Sequence, residues 1–332
     1  MIKLMFLKEL CFSQCRYVLI LIFSFLVGCS GVDENEQALE ALPIQLKIDR
    51  FDLQFHQAEP EDIPALKARY PYLFPEQFSD SVWIRRQKDS LQLLLQAAVN
   101  EKFDQAHALE EALTHLFKHI THRYPKFRVP HTIGLINNVD YQSKTLFADS
   151  LLLISLDTYL GENHSLYEGI PSYVQEQMDA RFIPVHVAEK IAETMVPQPQ
   201  ERSLLAAMLY YGKLFYIQSL FLPHTATADL HGYTAEQEQW VQDNERYIWQ
   251  YFIEKQILFD PDPELQDRFV APAPFSKFYL EIDNESPGRI GRWLGAQIIL
   301  SYVEKNNPES LNAWMGLPAQ TLFNASNYKP KR

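Results

Sequence analysis

Leu204-Leu205-Ala206-Ala207-Met208-Leu209-Tyr210-Tyr211-Gly212-Lys213-Leu214-Phe215-Tyr216 is the stretch on which the fold turns. It lies in a segment, Glu201 to Leu220, with apolar side chains nearly all round a helix instead of along one stripe. Such a helix has no face suited to water and belongs at the centre of a core, with other helices around it. Gly212 costs about 1 kcal/mol relative to alanine inside a helix, so its presence points to close approach by another segment. Lys213 is the single charge in the run, and snorkelling of its stem to water is favoured over a meeting with a buried carboxylate.

Working outward, the pattern after Pro171 is helical over 172–180, 184–196, 235–257 and 289–306, with a Pro-rich loop, Asp260 to Pro274, joining the last two long helices. Before it, helices are expected over 59–70, 79–100 and from Asp104 to about His122, where Tyr124-Pro125 and Val129-Pro130 end the last one. Ile44, Leu46, Ile48, Phe51, Leu53 and Phe55 alternate with polar residues apart from a slip at Asp49-Arg50, which reads as a strand with a bulge. The runs 131–139 and 150–156 are β-rich and flank the turn-like Asp140 to Ser143, which predicts a hairpin or meander. The expected fold is therefore α+β and mostly helical, a small β layer followed by a helical half. No fixed-period repeat is present, which removes solenoids and propellers.

The amino terminus carries Lys3, Lys8 and Arg16, then the apolar run Tyr17 to Val27, too short to span a bilayer. Leu26-Val27-Gly28-Cys29 has the lipobox form, so residues 1–28 read as a lipoprotein signal peptide and Cys29 as the lipidated first residue of the mature protein. More than one acyl chain on Cys29, at about 0.8 kcal/mol per buried methylene, anchors stably to a membrane. Residues 29–42 read as an acidic tether and 43–332 as the body. Cys11 and Cys15 leave with the leader, so no pair of thiols remains for a disulfide. The leader carries a net charge of +2 (Lys3, Lys8 and Arg16 against Glu9), which takes the formal −12 of the chain to −14. A charge of that sign argues against nucleic acid as a partner and against a peripheral hold on anionic lipid.

Among residues that could carry chemistry, His115, His119 and His122 share a helix face at i, i+4 and i+7, a spacing at which imidazoles can converge on an ion. A solvated histidine face near a helix end is the favoured reading, because Leu116 stands where a metalloprotease motif places a glutamate base. No Gly-rich phosphate cradle follows a strand, and Gly288-Arg289-Ile290-Gly291 is a helix-starting turn after Pro287, not a dinucleotide fingerprint. Carboxylates are abundant, but no spacing pairs them for glycoside chemistry.

Several motifs together resemble the gliding motility lipoprotein GldB family. They are Lys47-Ile48-Asp49-Arg50-Phe51-Asp52, Leu116-Phe117-Lys118-His119 leading to Tyr124-Pro125-Lys126-Phe127, Leu156-Asp157-Thr158-Tyr159-Leu160-Gly161, and Met208 to Tyr216. Further on come Asn244-Glu245 with Trp249, Ala273-Pro274-Phe275-Ser276, Ser286 to Gly295, and Ser326-Asn327-Tyr328-Lys329-Pro330. The resemblance covers the chain from about residue 44 to the end. It implies a noncatalytic envelope component needed for gliding, tied to type IX secretion, without a cofactor. The layout is also similar to zinc proteases of the gluzincin type, with Met208 to Gly212 roughly in place of their His-Glu-x-x-His helix. No histidine occurs between His186 and His224, so that helix cannot supply the ligands, and a zincin-like fold here would be a degenerate one. The positions singled out on these motifs as central-helix or pocket residues are Gly212, Lys213, Tyr216, Glu245, Arg289 and Trp293.

The sequence thus leads to a lipid-anchored scaffold or interaction protein at the periplasmic face or outer membrane, whose partners are the bilayer and other gliding and secretion proteins. The alternatives are an envelope hydrolase and a peptide- or glycan-binding lipoprotein that uses some of the 17 Tyr and 5 Trp. In cells fed labelled palmitate, the wild type is expected to take up label and Cys29→Ala none; equal incorporation would refute the lipobox assignment.

Overall fold

The computed structural model describes residues 34–104, 106–281 and 283–331, so the signal peptide and Cys29 lie outside the described residues. The chain divides between Pro43 and Ile44. In the first unit, part of the expected tether forms a short helix, α1 (Glu34–Glu40). The second unit carries everything that follows.

Its β layer is a four-stranded sheet in the order β1-β2-β4-β3, formed by β1 (Asp49–Arg50), β2 (His131–Leu135), β3 (Thr145–Ala148) and β4 (Leu151–Ser155). β2 runs parallel to β1 and to β4, with His131 opposite Leu151 and Leu135 opposite Ser155. The hairpin or meander expected from 131–139 and 150–156 is instead a parallel pair. The true hairpin joins β4 to β3 through a turn at Asp149, whose φ is 51°. A strand at 145–148 was hidden because Thr145-Leu146-Phe147-Ala148 is too short to show alternation.

The strand expected over 44–55 is also corrected. Only Asp49–Arg50 joins the sheet, and Phe51–Gln57 is a helix, α2. Phe51 and Phe55 are one helical turn apart, so the same residues satisfy a helical spacing as well as an alternating one. The extended residues before β1 find their partners on the helix His107–Arg123. There the Leu46 N–H donates to Thr114 Oγ1 at 3.0 Å, while the Ile48 N–H (3.1 Å) and Lys47 Nζ (2.7 Å) donate to Glu110. Side chains have replaced a neighbouring strand as acceptors.

Helices α3 (Ile63–Arg69), α4 (Asp80–Gln87), α5 (Ser90–Phe103) and α6 (His107–Arg123) follow. The single helix expected over 79–100 is thus two. Asp89 breaks it by capping α5, its carboxylate accepting the N–H groups of Leu91 and Gln92 at 2.9 and 3.3 Å. The sheet then separates two cores. Ile133 faces Phe55, Ile63, Tyr70, Phe74 and Trp83, whereas Leu152 and Ile154 join the main core.

The helical half comprises α7 (Ser172–Gln175), α8 (Ile183–Glu193), α9 (Leu204–Phe221), α10 (Thr227–His231), α11 (Ala235–Glu254), α12 (Pro263–Phe269), α13 (Ile290–Asn306) and α14 (Ala319–Ser326). The loop 260–274 therefore holds a helix of its own, and α10 and α14 are further elements that periodicity did not announce. Helix α9 starts at Ser203, whose hydroxyl accepts the Ala206 N–H at 3.2 Å, and it packs against α6, α8, α10, α12, α13 and α14. By length and composition it could cross a membrane, but 72% of it is buried inside the protein. Its apolar circumference is explained by six helical neighbours.

Helix α13 lies against α9 at backbone contact. A Cβ on Gly212 would come within 2.3 Å of the Gly295 carbonyl oxygen, and one on Gly295 within 2.0 Å of that of Met208. Gly212→Ala is expected to lose about 1–3 kcal/mol of stability through overpacking, in spite of the better helix propensity of alanine. Gly316→Ala, where a Cβ meets nothing within 4 Å, serves as control in the same urea titration. Equal midpoints for the two variants would show that the helices are not in contact at Gly212.

Candidate functional site

A cleft of about 530 Å³ opens where α8, α9, α10 and the start of α13 meet the chain leading into β3. Helix α8 contributes His186 and Glu189, three residues apart, and α9 contributes Tyr211, Leu214, Phe215 and Gln218 at i, i+3, i+4 and i+7. Each set lies on one helical face. Lys144 enters just ahead of β3, His231 ends α10, and Arg289 and Arg292 stand at the start of α13.

The cations are positioned by backbone carbonyls. Arg289 donates to the Gly232 oxygen at 2.8 Å, Arg292 to that of Val270 at 2.7 Å, and Lys144 to that of Gln177 at 3.4 Å. The Arg292 guanidinium also lies 3.7 Å from the centre of the Tyr211 ring. Arg289 caps α13 from the left-handed region, at φ 61°. A non-glycine residue there carries a local backbone cost of about 1–3 kcal/mol, which the surrounding bonds must offset. Among the described residues no carboxylate comes within 4.0 Å of the charged atoms of Lys144, Arg289 or Arg292.

The bases in the cleft are pushed toward their neutral forms. Burial, then the neighbouring Arg289, lowers Lys144 to about 8 against the opposing pull of Glu189. Burial and Arg289 lower His231 to about 3. Burial, with Lys144, Arg289 and Lys190 nearby, holds His186 well below the ordinary histidine range, and Arg289 itself is lowered by burial and by Arg292. His186 Nδ1 is hydrogen-bonded to the Tyr159 hydroxyl at 2.8 Å. His231 stacks flat on Phe215 at 4.1 Å between ring centres, and its buried Nε2 has no hydrogen-bond partner.

Of the positions chosen from sequence, Arg289 lines this cleft and the others lie elsewhere. Gly212 forms the contact with α13. Lys213 does not snorkel: it is buried, donates to the Met315 carbonyl at 2.7 Å, and is lowered to about 8 by burial, with Glu201 opposing. With Met315 it lines a second, smaller cavity of about 250 Å³. The Met315 oxygen thus takes up the charged end of the side chain. Tyr216 meets Trp314 edge-on, and Trp293 is a core residue whose indole N–H points to Glu238 at 3.4 Å. Glu245 is buried and accepts the Tyr328 hydroxyl and, at 3.3 Å, the Lys331 N–H, so it anchors the carboxyl-terminal segment. His115 and His122 are exposed, and His119 is partly buried beside His224, with 6.2 Å between ring centres. Among the described residues no three His, Cys, Asp or Glu side chains form a group that could hold a metal ion.

Sequence reading missed Lys144, His186, Glu189, His231 and Arg292. Arg292 and Tyr211 stand within quoted motifs, and a left-handed Gly232 after His231 marks a helix end. The others carry no spacing signal.

In comparisons with known proteins, the family model described as gliding motility protein GldB matches residues 32–330. It is a lipoprotein family by name. No match was found among curated proteins or solved structures.

Glu245→Ala removes a charged acceptor from two donors in a buried setting, and a loss of about 2–3 kcal/mol is expected by urea unfolding, with faster proteolysis of residues 326–331. An unchanged midpoint would remove Glu245 as the anchor of that segment.

Proposed function

Because the chain belongs to the gliding motility protein GldB family, we propose that it is a lipid-anchored, noncatalytic envelope component, a scaffold or partner for other gliding proteins with a link to type IX secretion. The observation that carries this reading is the family match, which spans 32–330 and so covers the second unit up to its last two residues. One further feature supports it. The lipobox at Cys29 confines the body to a membrane surface, where tethering raises its effective concentration near other anchored proteins.

The test is a deletion strain complemented with wild type, with Cys29→Ala, and with His115, His119 and His122 all changed to alanine, scored by gliding speed and by secretion of a reporter. Deletion is expected to abolish gliding and lower secretion. Wild type and the triple histidine variant should restore both, and Cys29→Ala should restore them poorly. A deletion strain that glides and secretes normally would overturn the reading. Failure of the histidine variant at normal protein level would replace the scaffold with a metal-dependent or catalytic role.

A further inference from the structure

The cleft holds more positive charge than its own residues neutralise. Lys144, Arg289 and Arg292 reach it from two separated parts of the chain, and each is held by a backbone carbonyl instead of a carboxylate. Two carboxylates, Glu189 and Asp229, also line the cleft, and Asp229 is approached at 3.7 Å by the exposed Arg181. Enclosing cations without counter-charge is costly, and an arrangement that persists in a concave site is suited to a ligand that brings the missing charge. The walls supply the rest of the description. Tyr211, Leu214, Phe215 and Val185 are apolar or aromatic, the volume falls in the range of small-ligand sites, and His231 Nε2 is a buried polar atom awaiting a partner.

We propose that this cleft binds an organic monoanion, its carboxylate held by Arg289, Arg292 and Lys144 and its apolar body laid along Tyr211 and Phe215. Guanidinium groups match the two oxygens of a carboxylate. Three cations and two carboxylates line the cleft, an excess of positive charge that a bound anion offsets. The binding role is independent of the part the protein plays in gliding.

The experiment uses full-length protein in nanodiscs of zwitterionic lipid, with empty nanodiscs as blank, and ligand-observed NMR. The probes are 4-phenylbutyrate and N-acetylphenylalanine, the amide of each, and phenyl phosphate. Both acids are expected to bind with millimolar or tighter Kd, at least tenfold tighter than their amides and than phenyl phosphate. Arg292→Gln and Lys144→Met should each weaken the acids tenfold or more, whereas Arg292→Lys and Lys144→Arg should retain most of the affinity. Circular dichroism and urea midpoints identify any variant that fails to fold, and the two positions lie on different elements, so one can stand for the other. Absence of acid binding, equal binding of acids and amides, or full affinity in both charge-removing variants would overturn the proposal. Tighter binding of phenyl phosphate would overturn the carboxylate assignment.

Discussion

Backbone contact between α9 and α13 is the constraint on which the rest of the helical half depends. Ridge-into-groove packing normally keeps helix axes about 8–10 Å apart, with side chains between them. Here Gly212 and Gly295 remove the side chains at the crossing, and each helix presents carbonyl oxygen to the other. Dispersion gains fall off steeply with separation, so a contact this close fixes the position of α13 along α9 as well as its distance. The consequence appears one residue away. Tyr211 precedes Gly212, and Arg292, in the first turn of α13, stacks on its ring at 3.7 Å. The contact that builds the core therefore also sets where the cationic end of α13 opens into the cleft.

The motifs scattered along the sequence meet in pairs once the chain is folded. Glu245 and Trp249 on α11 receive Tyr328, which donates its hydroxyl to the carboxylate and sets its ring edge-on to the indole, 5.1 Å between centres. Ser276 and Ser286 are hydrogen-bonded to each other, and Ser276 Oγ accepts the Ile290 N–H that starts α13. Asp157 accepts the N–H groups of Asn137 and Val139, holding two consecutive left-handed residues, Asn138 and Val139. Burial raises Asp157 to about 6 in spite of those bonds. None of these three constellations lines the cleft that Lys144, Arg289 and Arg292 enter. They close loops onto helices and keep buried polar groups paired.

How much of this was legible in sequence differs by element, for physical reasons. Helix α9 announced itself because a side chain's burial all round leaves its mark within a few turns, and α8, α11 and α13 followed from their stripes and ends. The sheet was harder. β2 and β4 pair across a connection, residues 136–150, that contains β3, and nothing local distinguishes a parallel neighbour from a hairpin partner. The alternation at 44–48 reports an extended backbone but not its acceptors, which here are Thr114 and Glu110 on a helix more than 60 residues away. The cleft was the least legible part. Arg289 was singled out from its motif, but Lys144, His186 and His231 come from separate elements, and each reads in isolation as an ordinary surface or core residue. Convergence of that kind is a property of the fold, not of any spacing.

The electrostatics of the whole body bear on what the cleft can select. The chain carries a formal charge of −12, so its far field repels anions, and at physiological salt that field decays over about 8 Å. A small inorganic anion gains nothing from steering and must leave its hydration shell to reach Arg289 and Arg292. An organic anion has a second source of affinity, about 25 cal/mol for each Å² of apolar surface it buries along Tyr211 and Phe215. The cations then act at short range, where partial burial limits screening, and decide which apolar molecules are held and in what orientation. Acidity outside and an excess of cations within are thus not in conflict: the first sets the field of the surface as a whole, and the second acts at short range and gives one cleft its selectivity.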